Sequence, residues 1–315
     1  MKILINRMAF GGNALKKIQA LQNLLKDVKA EILPTSPLVM NAQIEGFSEK
    51  ENSINLAGGD GTFHCSINFL LNRWPEFFSK NTLGLVGVGS SNSLLKSLQS
   101  PSKKSPLFFL NHQAPVEIDL GEIKIDHKLI YFLANGSVGL LALGNFLFNQ
   151  PSKLVGWSKK ISTELANFLV FLQLLKNYHP MTLVIKTKDL RSDQNKDKNP
   201  EIKREGKFLN IQFLKAQFYT GGYSFPSDNT MDSGFFDLHL FRYHSKWQTL
   251  KTFVLLSLNR TEQIPDHEVL RVRDLEISGA QPFLLEVDGE IYESSHFKIT
   301  CHQKKIKVAG WGLPS

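Results

Sequence analysis

Asn55-Leu56-Ala57-Gly58-Gly59-Asp60-Gly61-Thr62-Phe63 joins a short apolar run to a segment with helical spacing. Three glycines and an acid stand at the junction. Glycine lets the chain turn sharply and lets an oxyanion approach the backbone with no Cβ in the way. A helix entered from such a turn offers unpaired N–H groups and the positive end of its dipole. Gly58, Gly59 and Gly61 are therefore candidate phosphate-binding positions, and Thr62 either caps the helix or donates its hydroxyl to a phosphate. An acid in a phosphate cradle calls for a cation, so Asp60 points to Mg²⁺ carried in with a nucleotide. The plainer alternative is a tight turn in which Asp60 caps the helix.

Outward from this loop, residues 2–5, 30–33, 54–57 and 83–88 read as buried strands. Helical spacing predicts helices over 14–26, about 63–72 and 93–98, with a turn at Gly11-Gly12-Asn13. Strand, loop and helix in alternation predict an α/β domain with a doubly wound parallel sheet. After Gly121 strand-like runs dominate: 122–125, 128–133, 181–187, 208–216, 235–241, 268–277, 283–287 and 297–301. Helices are expected over 159–176 and 246–258, and the polar tract 192–200 reads as a hairpin tip. The expected fold is α/β plus β. Residues 1–121 form the nucleotide-binding domain and 122–302 a largely antiparallel β-sandwich with a helical insertion. The tail 303–315 returns to the first domain.

The chain has 315 residues, 42% hydrophobic and 21% charged, enough for a sizeable core. No apolar run approaches the roughly 18 residues that span a bilayer; the richest, 165–175, is interrupted by Asn167 and Gln173. The first seven residues enter a strand-like run without the apolar core of a signal peptide. Cys65 and Cys301 are the only cysteines, which argues against a disulfide framework or zinc cluster and favours a reducing cytosol. The net charge of +8, with a pI near 9.3, favours an anionic partner. It is not gathered into one nucleic-acid-like tract, so no nucleic acid is expected. Peripheral contact with an anionic membrane surface is.

Beyond the loop, further segments stand in a telling order. They are Asn6 with Gly11-Gly12, Thr35 after the second strand, and Leu83-Gly84-Leu85-Val86-Gly87-Val88-Gly89-Ser90-Ser91-Asn92. Then come Glu117-Ile118-Asp119-Leu120-Gly121, 131–139 as a strand ending in a small-residue turn, the run 218–237 with Gly221-Gly222, Pro226, Asp232, Gly234 and Asp237, and Asp288-Gly289-Glu290. This set resembles the diacylglycerol kinase and sphingosine kinase-like lipid kinases over nearly the whole chain. Gly-Gly-Asp-Gly-Thr itself is shared with the NAD kinases.

The resemblance implies ATP and Mg²⁺ bound between two domains, with Asn6, Thr35, Gly58, Gly59, Asp60, Gly61, Thr62, Ser90 and Asn92 at the nucleotide. It implies a lipid substrate such as diacylglycerol or a sphingoid base, whose hydroxyl attacks the γ-phosphate. Glu290 is implied as proton acceptor, with Asp288 supporting geometry or metal. Asp232 and Phe235 are implied as ligands of a structural Mg²⁺. Cytoplasmic placement, peripheral at the inner membrane face, fits a lipid substrate, and a homodimer is compatible with it.

Three positions depart from the family pattern: Cys65 replaces a Glu, Ser93 an Asp, and Ser233 the second Asp of Asp-Asp-Gly, an acid of the structural Mg²⁺ site. These losses keep open a non-catalytic nucleotide- or lipid-binding homologue. An NAD kinase is the other alternative, although Asn135-Gly136 lacks the acid of that branch's Asn-Glu signature. Cys65 is either a reactive thiol near a helix start or, more often for such a cysteine, a small core residue. His64 either touches substrate or sits on a helix surface. The apolar segment 165–175 is either a lipid-facing surface or a helix packed on the β domain.

Overall fold

The computed structural model describes residues 2–6, 19, 22, 31–35, 37–48, 53–87, 92–98, 108–109, 115–149, 153–158, 163–190, 201–215, 225 and 227–309. Four short strands, β1 (Lys2–Asn6), β2 (Glu31–Thr35), β3 (Ser53–Gly58) and β4 (Thr82–Gly87), pair in parallel in the order β4-β3-β1-β2. Their buried residues run almost without a break (Ile3, Leu4, Ile5; Leu56, Ala57; Leu85, Val86), the pattern of strands enclosed on both faces. The helices of this region are α1 (Pro37–Ser48), α2 (Asp60–Arg73), α3 (Phe77–Lys80) and α4 (Ser93–Leu98). Phe63, Ile67, Leu70 and Leu71 of α2 form the buried stripe of a core-facing helix and share one cluster with Leu4, Leu56 and Leu85.

The register brings Asn6 beside Thr35 and Gly58 beside Gly87. These residues end their strands at one edge of the sheet. In open parallel sheets that carboxyl edge is where ligands bind.

A short β5 (Phe108–Phe109) pairs with β4, and β6 (Pro115–Ile125) leads away from this region. The remaining strands are β7 (Lys128–Phe132), β8 (Asn135–Gly139), β9 (Met181–Lys188), β10 (Glu201–Leu214), β11 (Phe236–Arg242), β12 (His267–Val272), β13 (Asp274–Val287) and β14 (Glu290–Ala309). Apart from a parallel contact of β14 with β4, they pair antiparallel. Strand β14 starts in a hairpin with β13, runs along β6, and ends with Val308 in parallel register with Leu83 of β4. One 20-residue strand thus joins the antiparallel and parallel parts of a single 14-stranded network.

Four helices, α5 (Leu140–Asn149), α6 (Lys153–Ser158), α7 (Thr163–Asn177) and α8 (Lys246–Ser257), supply a third core of Leu140, Val155, Val170, Leu174, Leu255 and Leu256.

The described structure differs from the sequence expectations in several places. Helix α2 begins at Asp60, so half of the glycine loop is the helix's first turn. Helices α1, α3, α5 and α6 were not expected; α1 starts on Pro37, a favoured first helical residue. Asn135–Gly139, expected as a turn, is the fully buried strand β8 between β10 and β13. The run 268–277 is two strands broken at Arg273, and 297–301 lies inside the longer β14. The predicted helix 14–26, apart from single helical residues at 19 and 22, the turn Gly11-Gly12 and the tract 192–200 lie outside the described residues.

Candidate active site

Gly59 is the residue before α2, and its carbonyl accepts the N–H groups of Thr62 (2.9 Å) and Phe63 (3.1 Å). No side chain caps this helix end, so the N–H groups of Asp60 and Gly61, ahead of those two bonds, are the donors available to an anion. Gly58 must be glycine for a packing reason: a Cβ there would lie 2.4 Å from the Thr62 Cβ. The Thr62 hydroxyl is fixed in turn by the Asn6 amide, which donates to it at 2.9 Å. Asn6, Thr35 and Thr62 are all buried beside one another's strand or helix ends.

Asp60 does what a second helix needs. Its two carboxylate oxygens accept the N–H groups of Ser93 (3.0 Å) and Leu94 (3.2 Å), the first turn of α4. Burial nevertheless pushes this carboxyl above the ordinary range, and the nearby Asp288 carboxylate adds to the shift. Asn92 is buried immediately before α4, with φ of 49°. Ser90, the other residue expected on this segment, lies outside the described residues.

The second half of the site is a hairpin. Asp288 and Gly289 have φ of 48° and 95° between the paired residues Val287 and Glu290. Positive φ at both central positions marks the tight turn that Asp-Gly favours. Buried Asp288 points inward, and its carboxylate accepts three backbone N–H groups, from Leu133 (2.8 Å), Ala134 (3.0 Å) and Asn135 (3.1 Å). The turn is braced from below by Glu286, fully buried, which accepts the Gly289 N–H at 2.7 Å and the Ser137 hydroxyl at 3.1 Å.

Glu290 points the other way and is exposed. Its Oε1 lies so close to Gly61 that a Cβ on that glycine would meet it at 2.9 Å. An exposed carboxylate from β14 therefore sits against the first turn after the phosphate-type loop.

His64 connects the two halves. Its Nδ1 lies 3.6 Å from the Asp288 carboxylate and its Nε2 2.8 Å from the Tyr292 hydroxyl. It is buried, not a surface histidine. Burial first, and then the carboxylate of Glu290, push the Tyr292 hydroxyl well above its ordinary pKa, so it stays protonated. Cys65, one residue after His64, is exposed, which contradicts the reading of a small core residue. Desolvation, and then Glu290, push its thiol up to about 11, which contradicts the reading of a reactive thiol.

Residues 1–123 match the diacylglycerol kinase catalytic domain. The chain is 23% identical over 267 residues to "Probable lipid kinase YegS-like" of Xanthomonas euvesicatoria pv. vesicatoria, covering 84% of this chain and 80% of that protein. It is 23% identical over 244 residues to the diacylglycerol kinase of Bacillus subtilis, covering 74% and 69%. A crystal structure of a diacylglycerol kinase from Bacillus anthracis superposes with a TM-score of 0.64 at 13% identity, over 98% of this chain and 96% of that one. Residues 1–123 are thus similar to the diacylglycerol kinase catalytic domain, and the longer alignments are to proteins named as lipid kinases. The fold is theirs, and the family match includes the whole glycine loop.

The resemblance implies Asp232 and Phe235 as ligands of a structural Mg²⁺, and both have protein partners here. The Phe235 carbonyl already accepts the Lys215 ammonium at 2.9 Å, while the Asp232 carboxylate accepts the Thr230 hydroxyl at 2.8 Å and faces Lys304. Ser233, in place of an acid, accepts from the same Lys215 at 2.7 Å. Among the described residues no group of three or more His, Cys, Asp or Glu side chains is placed to hold a metal ion.

Sequence reasoning missed Glu286, Lys215 and the His64–Tyr292 pair. An acid in the apolar run Leu284-Leu285-Glu286-Val287 was the one available signal, since a buried acid needs partners.

Proposed function

We propose that this protein is an ATP-dependent lipid kinase that phosphorylates a hydroxyl of a lipid such as diacylglycerol or a sphingoid base. The observation that carries the reading is the exposed Glu290 carboxylate held against Gly61. It puts a proton acceptor beside the backbone donors that suit a terminal phosphate. Residues 1–121 would hold the nucleotide and 122–302 the lipid. ATP supplies the transferred phosphoryl group, and phosphoryl transfer demands positioning and charge neutralisation more than covalent chemistry.

In this reading Gly58, Gly59 and the first turn of α2 receive phosphate oxygens, with Asn6, Thr35 and Asn92 around the nucleotide. Asp60 orients α4 toward the same place, and its charge is offset by Mg²⁺ arriving with the nucleotide. Asp288 has its oxygens turned to the backbone, so its part is to fix the hairpin. Glu290 takes the proton of the lipid hydroxyl as the new O–P bond forms and the bond from the γ-phosphorus to the bridging oxygen breaks, releasing ADP.

The lipid must be reached at a surface. All but one of the exposed large apolar side chains among the described residues lie on or next to α6, α7 and α8: Trp157, Phe168, Leu172, Trp247, Val254 and Leu258. Helix α8 carries exposed Lys246 and Lys251 and no acid, and exposed Arg260 follows it. Exposed apolar side chains interspersed with lysines on one helix suit the interface of an anionic bilayer. Among the described residues no helix is long and apolar enough to cross a membrane. Peripheral attachment at the inner membrane face is the corresponding placement.

Incubating the purified chain with radiolabelled ATP, Mg²⁺ and a total lipid extract tests the proposal. Label in a chloroform-soluble product supports it, and label absent from every lipid class, with ATP binding intact, overturns it. Vesicles rich in phosphatidylglycerol should retain the protein better than phosphatidylcholine vesicles. Trp247→Ala should weaken that retention.

A further inference from the structure

We propose that the Lys215 ammonium is a built-in cation that does the work of a resident structural metal ion, so that this corner of the fold needs none. Lys215 directly follows β10, and its backbone N–H donates to the Ala134 carbonyl at 2.8 Å. Its Nζ lies 2.5 Å from Asp119 Oδ2, 2.7 Å from the Ser233 hydroxyl and 2.9 Å from the Phe235 carbonyl. An ammonium has three donors and no acceptor, and here it meets three acceptors. The Lys215 and Asp119 side chains are each 1% exposed, so the pair is closed to solvent.

Asp119 is equally complete. Oδ1 accepts the Lys304 N–H at 2.9 Å, and Oδ2 also accepts the Gly234 N–H at 2.5 Å. The cluster therefore ties together β6, the end of β10, the loop before β11, and β14. Of these, β14 joins the parallel and antiparallel parts, and β6 runs alongside it.

A divalent ion does not fit beside this ammonium. Mg²⁺ demands about six oxygens in octahedral array, carboxylates among them. The carbonyl it would share is taken, Asp232 is turned to Thr230, and two cations in one buried pocket repel each other. Ser233 completes the exchange: its hydroxyl donates to the Asn229 side-chain oxygen while accepting from Lys215. An acid at 233 would add a second negative charge for which one ammonium has no match. Lys215 and Ser233 are thus two halves of one substitution of chemistry.

The test uses the full chain without nucleotide and reads stability and metal content, so it stands whether or not a lipid is phosphorylated. Wild-type protein should melt at the same temperature in EDTA as in millimolar MgCl₂, and should retain no stoichiometric Mg²⁺ after dialysis. The variant Lys215→Ala/Ser233→Asp restores an acid and frees the carbonyl. Mg²⁺ or Mn²⁺ in excess should raise its melting temperature by roughly 5 °C, the rise expected for a ligand at about a hundredfold over its Kd. A wild-type melting temperature that falls in EDTA and returns with Mg²⁺ overturns the proposal, as does a folded double variant indifferent to both metals. Should the double variant fail to fold, the wild-type comparison decides alone.

Discussion

Asp288 and Asp119 are both buried carboxylates gripped by backbone N–H groups, yet they serve opposite ends. Asp288 takes three N–H donors and lies near buried His64, and two residues later the chain delivers Glu290 to solvent. Asp119 takes two N–H donors and a buried ammonium, and its surroundings are sealed. The contrast separates a carboxylate that aims a neighbouring acid from one that binds segments together. In the first case the paired residue is left exposed to act. In the second every donor and acceptor is spent on the fold.

Substitutions at these sites should fail in different ways. The largest effect is expected at Glu290. Glu290→Gln should lower kcat by on the order of 10²–10⁴-fold, the usual contribution of a positioned general base, while leaving the melting temperature and ATP binding near wild type. Loss of stability with retained turnover would break the distinction. Lys215→Met should do the reverse: an unpaired buried carboxylate costs about 3–5 kcal/mol, measurable by urea denaturation. Asp288→Asn should fall between the two. An amide cannot accept from all three N–H groups, so about 1.5–3 kcal/mol of stability goes together with most of the turnover.

The smallest effect concerns the exposed Cys65 beside Glu290. Its thiol is protonated below about pH 11, so at neutral pH alkylation by iodoacetamide should run roughly 10²-fold slower than for an unperturbed thiol of pKa near 8.5. The rate should climb as the pH rises toward 11. Fast labelling at pH 7 would contradict the desolvation that, ahead of Glu290, raises this thiol.

The sequence showed the parts whose signal is local. Apolar runs ending in glycine marked β3 and β4, and the Asp-Gly pair marked the hairpin that carries Glu290. What stayed hidden depends on partners distant in the chain. Residues 135–139 read as a turn because Asn, Gly and Ser are poor strand formers, but pairing with β10 and β13 on both sides makes them β8. Asp60 read as a metal-facing acid, and only the placement of α4 shows its oxygens on Ser93 and Leu94. Lys215 gave no signal, since one lysine after a strand is ordinarily a solvated end. Ser233 was visible as a lost acid, and its compensation was not.

The central claim is that Glu290, set against Gly61, accepts a proton from a lipid hydroxyl during phosphoryl transfer. The direct measurement is single-turnover transfer of label from ATP to lipid, wild type against Glu290→Gln at equal ATP occupancy. The predicted result is a labelled lipid with the wild type and a rate at least two orders of magnitude lower with the variant. Equal rates from the two proteins would contradict it.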